Sequence, residues 1–186
     1  HNGDPEVAIR MLDAIAGTGA QWVKFQVYTA DELVADKDLP VTWGPPGKQV
    51  REPVGKMFNR ISLSREHFPT LFRYARELGM TPFATPFSLE GVTFLEGLDV
   101  GLYKIASSDV TYLDLIREIS LTGKPVILSL GKSTLSEVDE AVNCLRKYSK
   151  GHIALMHCVA SYPTPMEEMN LTTIQMLKGL YPDCVV

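Results

Sequence analysis

No apolar run in this sequence approaches the ~18 residues that a membrane-crossing helix requires, which argues against an integral span. Cysteine is scarce. Cys144, Cys158 and Cys184 are odd in number, lie in apolar-patterned segments and include no Cys-x-x-Cys pair. That composition excludes a disulfide framework, argues against a zinc site, and points to buried, reduced thiols in a cytoplasmic protein. Basic clusters are equally sparse. The one cluster, Arg146 to Lys150, falls at an expected helix end, where cations complement the dipole and face solvent. With a net charge of −4, this argues against a nucleic-acid-binding surface. A glycine-rich phosphate loop after a strand, an internal repeat, a low-complexity tract and a secretory signal are also missing from the sequence. The first residue is His1 rather than Met, so the natural N-terminus is expected to lie upstream.

What remains is ordinary globular material: 186 residues, 45% hydrophobic and 22% charged, enough to bury a core. One unit recurs along it, an amphipathic helix, a turn and a brief apolar strand. Asp4 and Pro5 suit an N-cap and a first helical position. Ala8, Met11, Leu12, Ile15 and Ala16 keep helical spacing until Gly17 and Gly19, and Trp22–Gln26 reads as a strand. Tyr28 to Ser62, with Pro45, Pro46 and Gly47, lacks clear periodicity and is expected to be a functional loop or lid. Ser64 then caps a helix carrying Phe68, Leu71, Phe72 and Ala75, which closes at Gly79. The strand Thr81–Ala84 follows, and after it a helix from Ser88 with Val92, Leu95 and Leu98. Next come the strand Leu102–Ala106, a helix around Leu115, Ile116 and Ile119, and the strand Val126–Ser129. Thr134 and Glu137 form a capping-box pattern before Val138, Ala141, Val142 and Leu145. Ile153–His157 is the next strand, Ile174, Leu177 and Leu180 mark a last helix, and Cys184–Val186 reads as a strand beginning.

Strands alternating with helices imply a parallel sheet, and continuously apolar strands imply that both its faces are covered. Five full strands and a sixth begun make an α/β chain. Its expected fold is an incomplete (βα)8 TIM barrel, from about the second strand to the start of the seventh, because the full fold needs ~250 residues. A doubly wound open sheet is the competing fold, weakened by the missing phosphate loop.

In a barrel, side chains at the C-terminal ends of strands line the active site. Here those ends carry Lys24 and Gln26, then Thr85, then Lys104, Ser107 and Asp109, then Ser129, then Tyr162. Lysines and hydroxyls converging from successive strands describe a site for a phosphorylated anion, with ammonium groups as point charges and hydroxyls as hydrogen-bond donors. Lys24 between Val23 and Phe25, and Lys104 between Tyr103 and Ile105, sit in apolar strands where an unpartnered lysine is rare. Thr85 and Ser129 suit β-forming or turn hydroxyls equally well, and Asp109 equally suits a helix N-cap. His157 fits a satisfied core histidine, His67 and His152 fit the surface, and Met166 and Met169 fit packing.

Read in order, several stretches resemble the N-acetylneuraminate (sialic acid) synthase family, with its legionaminic and pseudaminic acid relatives. They are His1-Asn-Gly, Val23-Lys-Phe-Gln26, Thr85-Pro-Phe87, Tyr103-Lys-Ile-Ala-Ser107, Gly123-Lys-Pro-Val-Ile-Leu-Ser129, His157-Cys158 and Tyr162-Pro-Thr-Pro165. Each is weak alone; the ordered set is specific. The resemblance implies a (βα)8 barrel followed in the family by an antifreeze-like domain, here absent, so that residues 1–186 form a single partial catalytic domain. It implies condensation of phosphoenolpyruvate with an N-acetylmannosamine-type aldehyde, use of Mn²⁺ or Mg²⁺, release of phosphate, and a homodimer at full length. It places Lys24, Thr85, Lys104, Ser107 and Ser129 on phosphoenolpyruvate, Gln26 and Tyr162 near the two substrates, and Asp109 beside the reacting carbons. Lys104 and Asp109 are thus the expected catalytic pair.

Departures from the family pattern accompany the resemblance. The family's strand before His1-Asn-Gly, with its catalytic glutamate, and its metal-binding histidines beyond Val186 are not in the sequence. Ser129-Leu-Gly-Lys132 stands where the family usually has Ser-Thr-Gly-Met, and Ala160 where it often has Asn or a small hydroxyl residue. Residues 1–186 alone are therefore expected to give no synthase turnover, and to contain no metal ligand. A Schiff-base pyruvate aldolase using Lys104 or Lys24, and a non-catalytic fragment or paralogue, are the alternatives.

Overall fold

The computed structural model describes residues 1–45, 47–149 and 151–186. The expectations that touched Pro46, in the long second segment, and Lys150, in the basic cluster, lie outside the described residues. The chain divides into two compact units, His1–Pro82 and Phe83–Val186.

The first unit opens with α1 (Pro5–Ala16), where the Asp4 carboxylate accepts from the backbone N–H groups of Glu6 and Val7, so two orphan donors are satisfied at once. Strand β1 (Trp22–Val27) alternates strictly. Val23, Phe25 and Val27 are buried, while Trp22, Lys24 and Gln26 point to the open face. This departs from the expected strand covered on both faces. A short 3₁₀ turn (Arg65–His67) leads into α4 (Phe68–Glu77), whose Phe68 and Phe72 rings meet Phe25 at centroid distances of 6.0 and 5.3 Å. Ser64 makes no side-chain cap there, because the 3₁₀ turn precedes the helix.

Residues 28–62 are not a structureless lid. They contain α2 (Ala30–Leu33), an antiparallel hairpin of β2 (Pro40–Trp43) and β3 (Val50–Pro53), and α3 (Val54–Ile61). Thr29 and Glu32 form a reciprocal capping box around α2. Glu52 of β3 accepts from Trp43 Nε1 at 2.8 Å and Arg60 Nη2 at 2.5 Å, and the Arg60 guanidinium stacks 5.0 Å from the Trp43 ring. Gly55 is required at the start of α3, since a Cβ there would come within 2.6 Å of Lys37 Cβ. Four-residue elements are too short for hydrophobic periodicity to register, so their specification is in these side-chain contacts.

The second unit is a regular α/β array. Strand β4 (Thr81–Pro86) begins in the first unit, where Thr81 N–H donates to Gln21 O at 2.8 Å, and runs on into the second. In the second unit it is followed by α5 (Leu89–Glu96), β5 (Tyr103–Ile105), α6 (Leu113–Leu121), β6 (Val126–Ser129), α7 (Leu135–Tyr148), β7 (Ile153–Met156) and α8 (Thr172–Leu180). The strands β4, β5, β6 and β7 pair in that order, all parallel, with no reversal that would make a topological switch point. A parallel bridge from Ala154 to Val185 is all of the expected sixth strand that forms. Tyr103, Ile105, Val126, Leu128, Ile153 and Leu155 are buried, and with Leu115, Ile116, Ile119, Val138, Ala141, Val142 and Leu145 they form the core. The parallel register of β4 to β7 gives the α/β class expected.

Smaller expectations need correction. Met166 is 79% exposed, on a 3₁₀ turn rather than in packing. The three cysteines form no disulfide and are half-buried rather than buried, Cys144 on α7 and Cys158 and Cys184 in segments outside the helices and strands. The N-cap of α6 is Tyr112, so Asp109 is not a helix cap. Arg146 is held by both carboxylate oxygens of Asp183 rather than standing as a simple solvated cation. Among the described residues, no helix is long and apolar enough to cross a membrane.

The capping box predicted from Thr134 and Glu137 forms in full, with Thr134 Oγ1 accepting from Glu137 N–H and the Glu137 carboxylate accepting from Thr134 N–H at 2.7 Å. Thr134→Ala should therefore cost about 1 kcal/mol of stability in urea unfolding, whereas Thr134→Ser should cost almost nothing. Equal losses in the two variants would contradict the assignment.

Candidate functional site

Register alone brings the polar residues of the second unit together. Lys104 pairs with Ile127 and Ser129 pairs with Met156. Side chains alternate with period two, so Lys104, Ile127, Ser129, Ala154 and Met156 share one face of the sheet, and Ser129 is the diagonal neighbour of Lys104. Ala84 pairs with Tyr103, which places Thr85 on the same face as Lys104. The opposite face carries the core residues. One face of the array is thus apolar by sequence, and the other collects ammonium, hydroxyl and sulfur groups.

Lys104 is 8% exposed, Ser129 5% and Thr85 2%. The Lys104 ammonium donates to the Ile105 carbonyl at 2.6 Å and to the Ser129 hydroxyl. A buried charge costs several kcal/mol unless it is well partnered, and these acceptors are neutral. Cys158 Sγ lies 3.5 Å from Ser129 Oγ, and the Ser129 hydroxyl contacts Met156 Sδ at 3.7 Å. Ser107, in the 3₁₀ turn after β5, accepts from Gly131 N–H at 2.9 Å and so ties the β5 end to the loop after β6. Gly131 is fixed by close approach: a Cβ there would stand 3.1 Å from both Cys158 Cβ and Ser107 Oγ.

Asp109 completes this group. One carboxylate oxygen is 3.3 Å from the Ser108 hydroxyl, while the other, Oδ2, is buried without a hydrogen-bond partner among the described residues. Burial pushes its carboxyl above the ordinary carboxylate value, and the Ser108 hydroxyl and Lys104 ammonium pull it part of the way back. A half-buried acid of this kind can hold or release a proton near an anion.

Lys24 and Gln26 belong to the first unit, where they line an open pocket of about 310 Å³ with His1, Asn2, Met11 and Tyr28. Lys24 keeps solvent-accessible area because the pocket is open, but crowding by its walls strips water from the ammonium and lowers its pKa below the usual lysine value. Tyr162 is 91% exposed and is not part of the Lys104 cluster. His157 is half-buried and satisfied, its Nε2 being 2.8 Å from Met169 O. The structure thus joins Lys104, Ser107, Asp109 and Ser129, with Thr85 on the same face. It adds Gly131, Met156 and Cys158, to which the sequence reading assigns no role at the site. Their signal was a Ser-x-Gly after one strand and a sulfur-bearing residue at the end of the next. Among the described residues, no group of three or more His, Cys, Asp or Glu side chains is arranged to hold a metal, so these residues do not by themselves fit a divalent ion.

A profile of the NeuB family matches residues 11–186. The chain belongs to the NeuB family. It is 34% identical over 183 residues to the pseudaminic acid synthase of Helicobacter pylori, covering 97% of this chain and 53% of that protein. It is 32% identical over 183 residues to the N,N'-diacetyllegionaminic acid synthase of Campylobacter jejuni, covering 97% of this chain and 55% of that protein. In structure it is similar to the N-acetylneuraminic acid synthetase of Leptospira borgpetersenii, solved in complex with citrate. The TM-score is 0.86 at 30% identity, over 97% of this chain and 58% of the other. The chain spans about half the length of the curated relatives it matches. It is a synthase-family domain, similar in fold to the sialic acid synthetase.

The raised pKa of Asp109 has a definite sign. A carboxyl that is harder to ionise in the folded state destabilises the fold as pH rises through that pKa. Asp109→Asn carries no such term. Its stability relative to the parent should improve steadily from acid pH to neutrality in thermal melts. A difference independent of pH would contradict the burial argument.

Proposed function

We propose that this segment is the anion-gripping part of a longer nonulosonate-type synthase. In that reading the enzyme condenses phosphoenolpyruvate with N-acetylmannosamine or a related amino-sugar aldehyde and releases phosphate. The observation that carries the reading is the buried Lys104 ammonium, donating to the Ile105 carbonyl and the Ser129 hydroxyl, on one face with Ser129 and Thr85. An oxyanion is the natural counter-charge for such a group. The citrate bound by the Leptospira relative, a polyanion, is consistent with this chemistry.

In the proposed reaction, C3 of phosphoenolpyruvate attacks the aldehyde carbon while the aldehyde oxygen takes up a proton. Water adds at C2 and gives a tetrahedral hemiketal phosphate. The C2–O bond to phosphate then breaks, leaving the keto acid and inorganic phosphate. Lys104, with Ser129, Ser107 and Thr85, would hold the anion and stabilise the charge that moves between its oxygens. Asp109, with its raised pKa and unpartnered Oδ2, would hold or release a proton beside the reacting carbons. Roles for Lys24, Gln26 and Tyr162 in substrate binding are proposed on family grounds alone. A divalent Mn²⁺ or Mg²⁺ ion, a homodimer and a cytoplasmic setting are proposed for the whole protein on family grounds, and no step above is routed through the metal.

The Schiff-base alternative requires a neutral amine with a free lone pair. Borohydride trapping with pyruvate separates it from the synthase reading, since only a Schiff base yields a covalent adduct. Phosphate release from phosphoenolpyruvate and N-acetylmannosamine, with Mn²⁺, is the direct assay on a protein containing this segment at full length. Lys104→Ala should lower kcat/KM by about 100-fold or more, in line with loss of a group that stabilises developing charge. Near wild-type kinetics, or a covalent adduct trapped by borohydride with pyruvate, would reject the reading.

A further inference from the structure

The proposed anion site contains one hydroxyl whose hydrogen-bonding roles are already assigned by its neighbours. A serine hydroxyl has one proton to donate and two lone pairs to accept with. At Ser129 one lone pair takes the Lys104 ammonium, which has no acceptor capacity. The other faces the Cys158 thiol at 3.5 Å. The hydroxyl proton is left to point at Met156 Sδ, 3.7 Å away. A thioether is a weak acceptor, so that last contact is easily exchanged for a better one.

We infer that Cys158 is a positioning residue that fixes Ser129 as a donor toward bound ligand, with Met156 as the resting acceptor that the ligand displaces. The inference rests on the synthase reading and deepens it. The atom received at Ser129 must accept a hydrogen bond, as a phosphate or carboxylate oxygen does, while an N–H or O–H proton aimed at Ser129 finds no lone pair free. The geometry holds Cys158 in this role. The loop after β6 packs closely on it through Gly131, where a Cβ would stand 3.1 Å from Cys158 Cβ, and Ser107 anchors the Gly131 N–H. The sheet pairing of Ser129 with Met156 sets the other sulfur in register.

The test is calorimetric titration of phosphoenolpyruvate, and separately of inorganic phosphate, into the full-length protein and its variants. Cys158→Ala frees a lone pair on Ser129 and lets the hydroxyl reorient, so affinity should fall about 3- to 10-fold, the worth of one ordinary hydrogen bond. Cys158→Ser keeps a donor and should stay within about twofold of wild type. Met156→Leu removes the competing acceptor and should leave binding unchanged or tighter. Equal behaviour of Cys158→Ala and Cys158→Ser, whether both like wild type or both weakened, overturns the inference. Lys104→Ala separates it from the underlying reading. If that variant binds phosphoenolpyruvate as well as wild type does, or if the wild-type protein takes up neither ligand, the reading falls and the inference with it. Should Cys158→Ala fail to fold, the unaltered protein still decides the matter. Phosphoenolpyruvate should slow maleimide modification of Cys158 while leaving Cys144 and Cys184 unaffected, and equal rates at all three thiols overturn the role.

Discussion

A buried ammonium at the centre of a parallel sheet is the constraint on which this structure turns. Lys104 sits at the centre of a parallel sheet, with Tyr103 and Ile105 on either side in sequence and both fully buried. A backbone carbonyl and a hydroxyl accept from that charge. Asp109, which feels the Lys104 charge, is itself held above its ordinary pKa by burial. Buried ionisable groups gathered in this way are a mark of functional sites.

The parallel architecture is what makes such a cluster possible. Each strand of the second unit gives one face to the helices and one to the polar side, and consecutive parallel strands bring their C-terminal ends to the same edge. Lys104, Ser129 and Met156 come from three different strands and meet through register. The loops add the rest: Ser107 follows β5, Gly131 follows β6 and Cys158 follows β7. The hydrogen bond from Gly131 to Ser107 joins two of these loops, so the site has little freedom to loosen without disturbing both.

Much of this was legible in the sequence, because local rules carried it. A lysine flanked by large apolar residues in a short strand is conspicuous, and Lys104 proved buried and partnered. Asp4 and the Thr134–Glu137 pair act within a few residues of themselves, so their caps could be read directly. What was not legible depended on contacts distant in sequence. The hairpin and two short helices within residues 28–62 are held by Glu52, Trp43, Arg60 and Lys37, and no periodicity announces them. Cys158 reads as a buried thiol and as part of the His157-Cys158 stretch, and only the fold sets its sulfur beside Ser129. Met166, read as packing, lies on an exposed 3₁₀ turn for the same reason: nothing in its neighbourhood says which side faces out.

Family membership and the polar face of the sheet both support the proposed anion chemistry. The most direct test is a crystal structure of the protein with phosphoenolpyruvate bound. The account predicts that oxygens of the ligand lie within hydrogen-bonding distance of Lys104 Nζ and Ser129 Oγ, with the Met156 contact to Ser129 broken. Phosphoenolpyruvate bound elsewhere, with the Lys104–Ser129 face left without an anion, would contradict it.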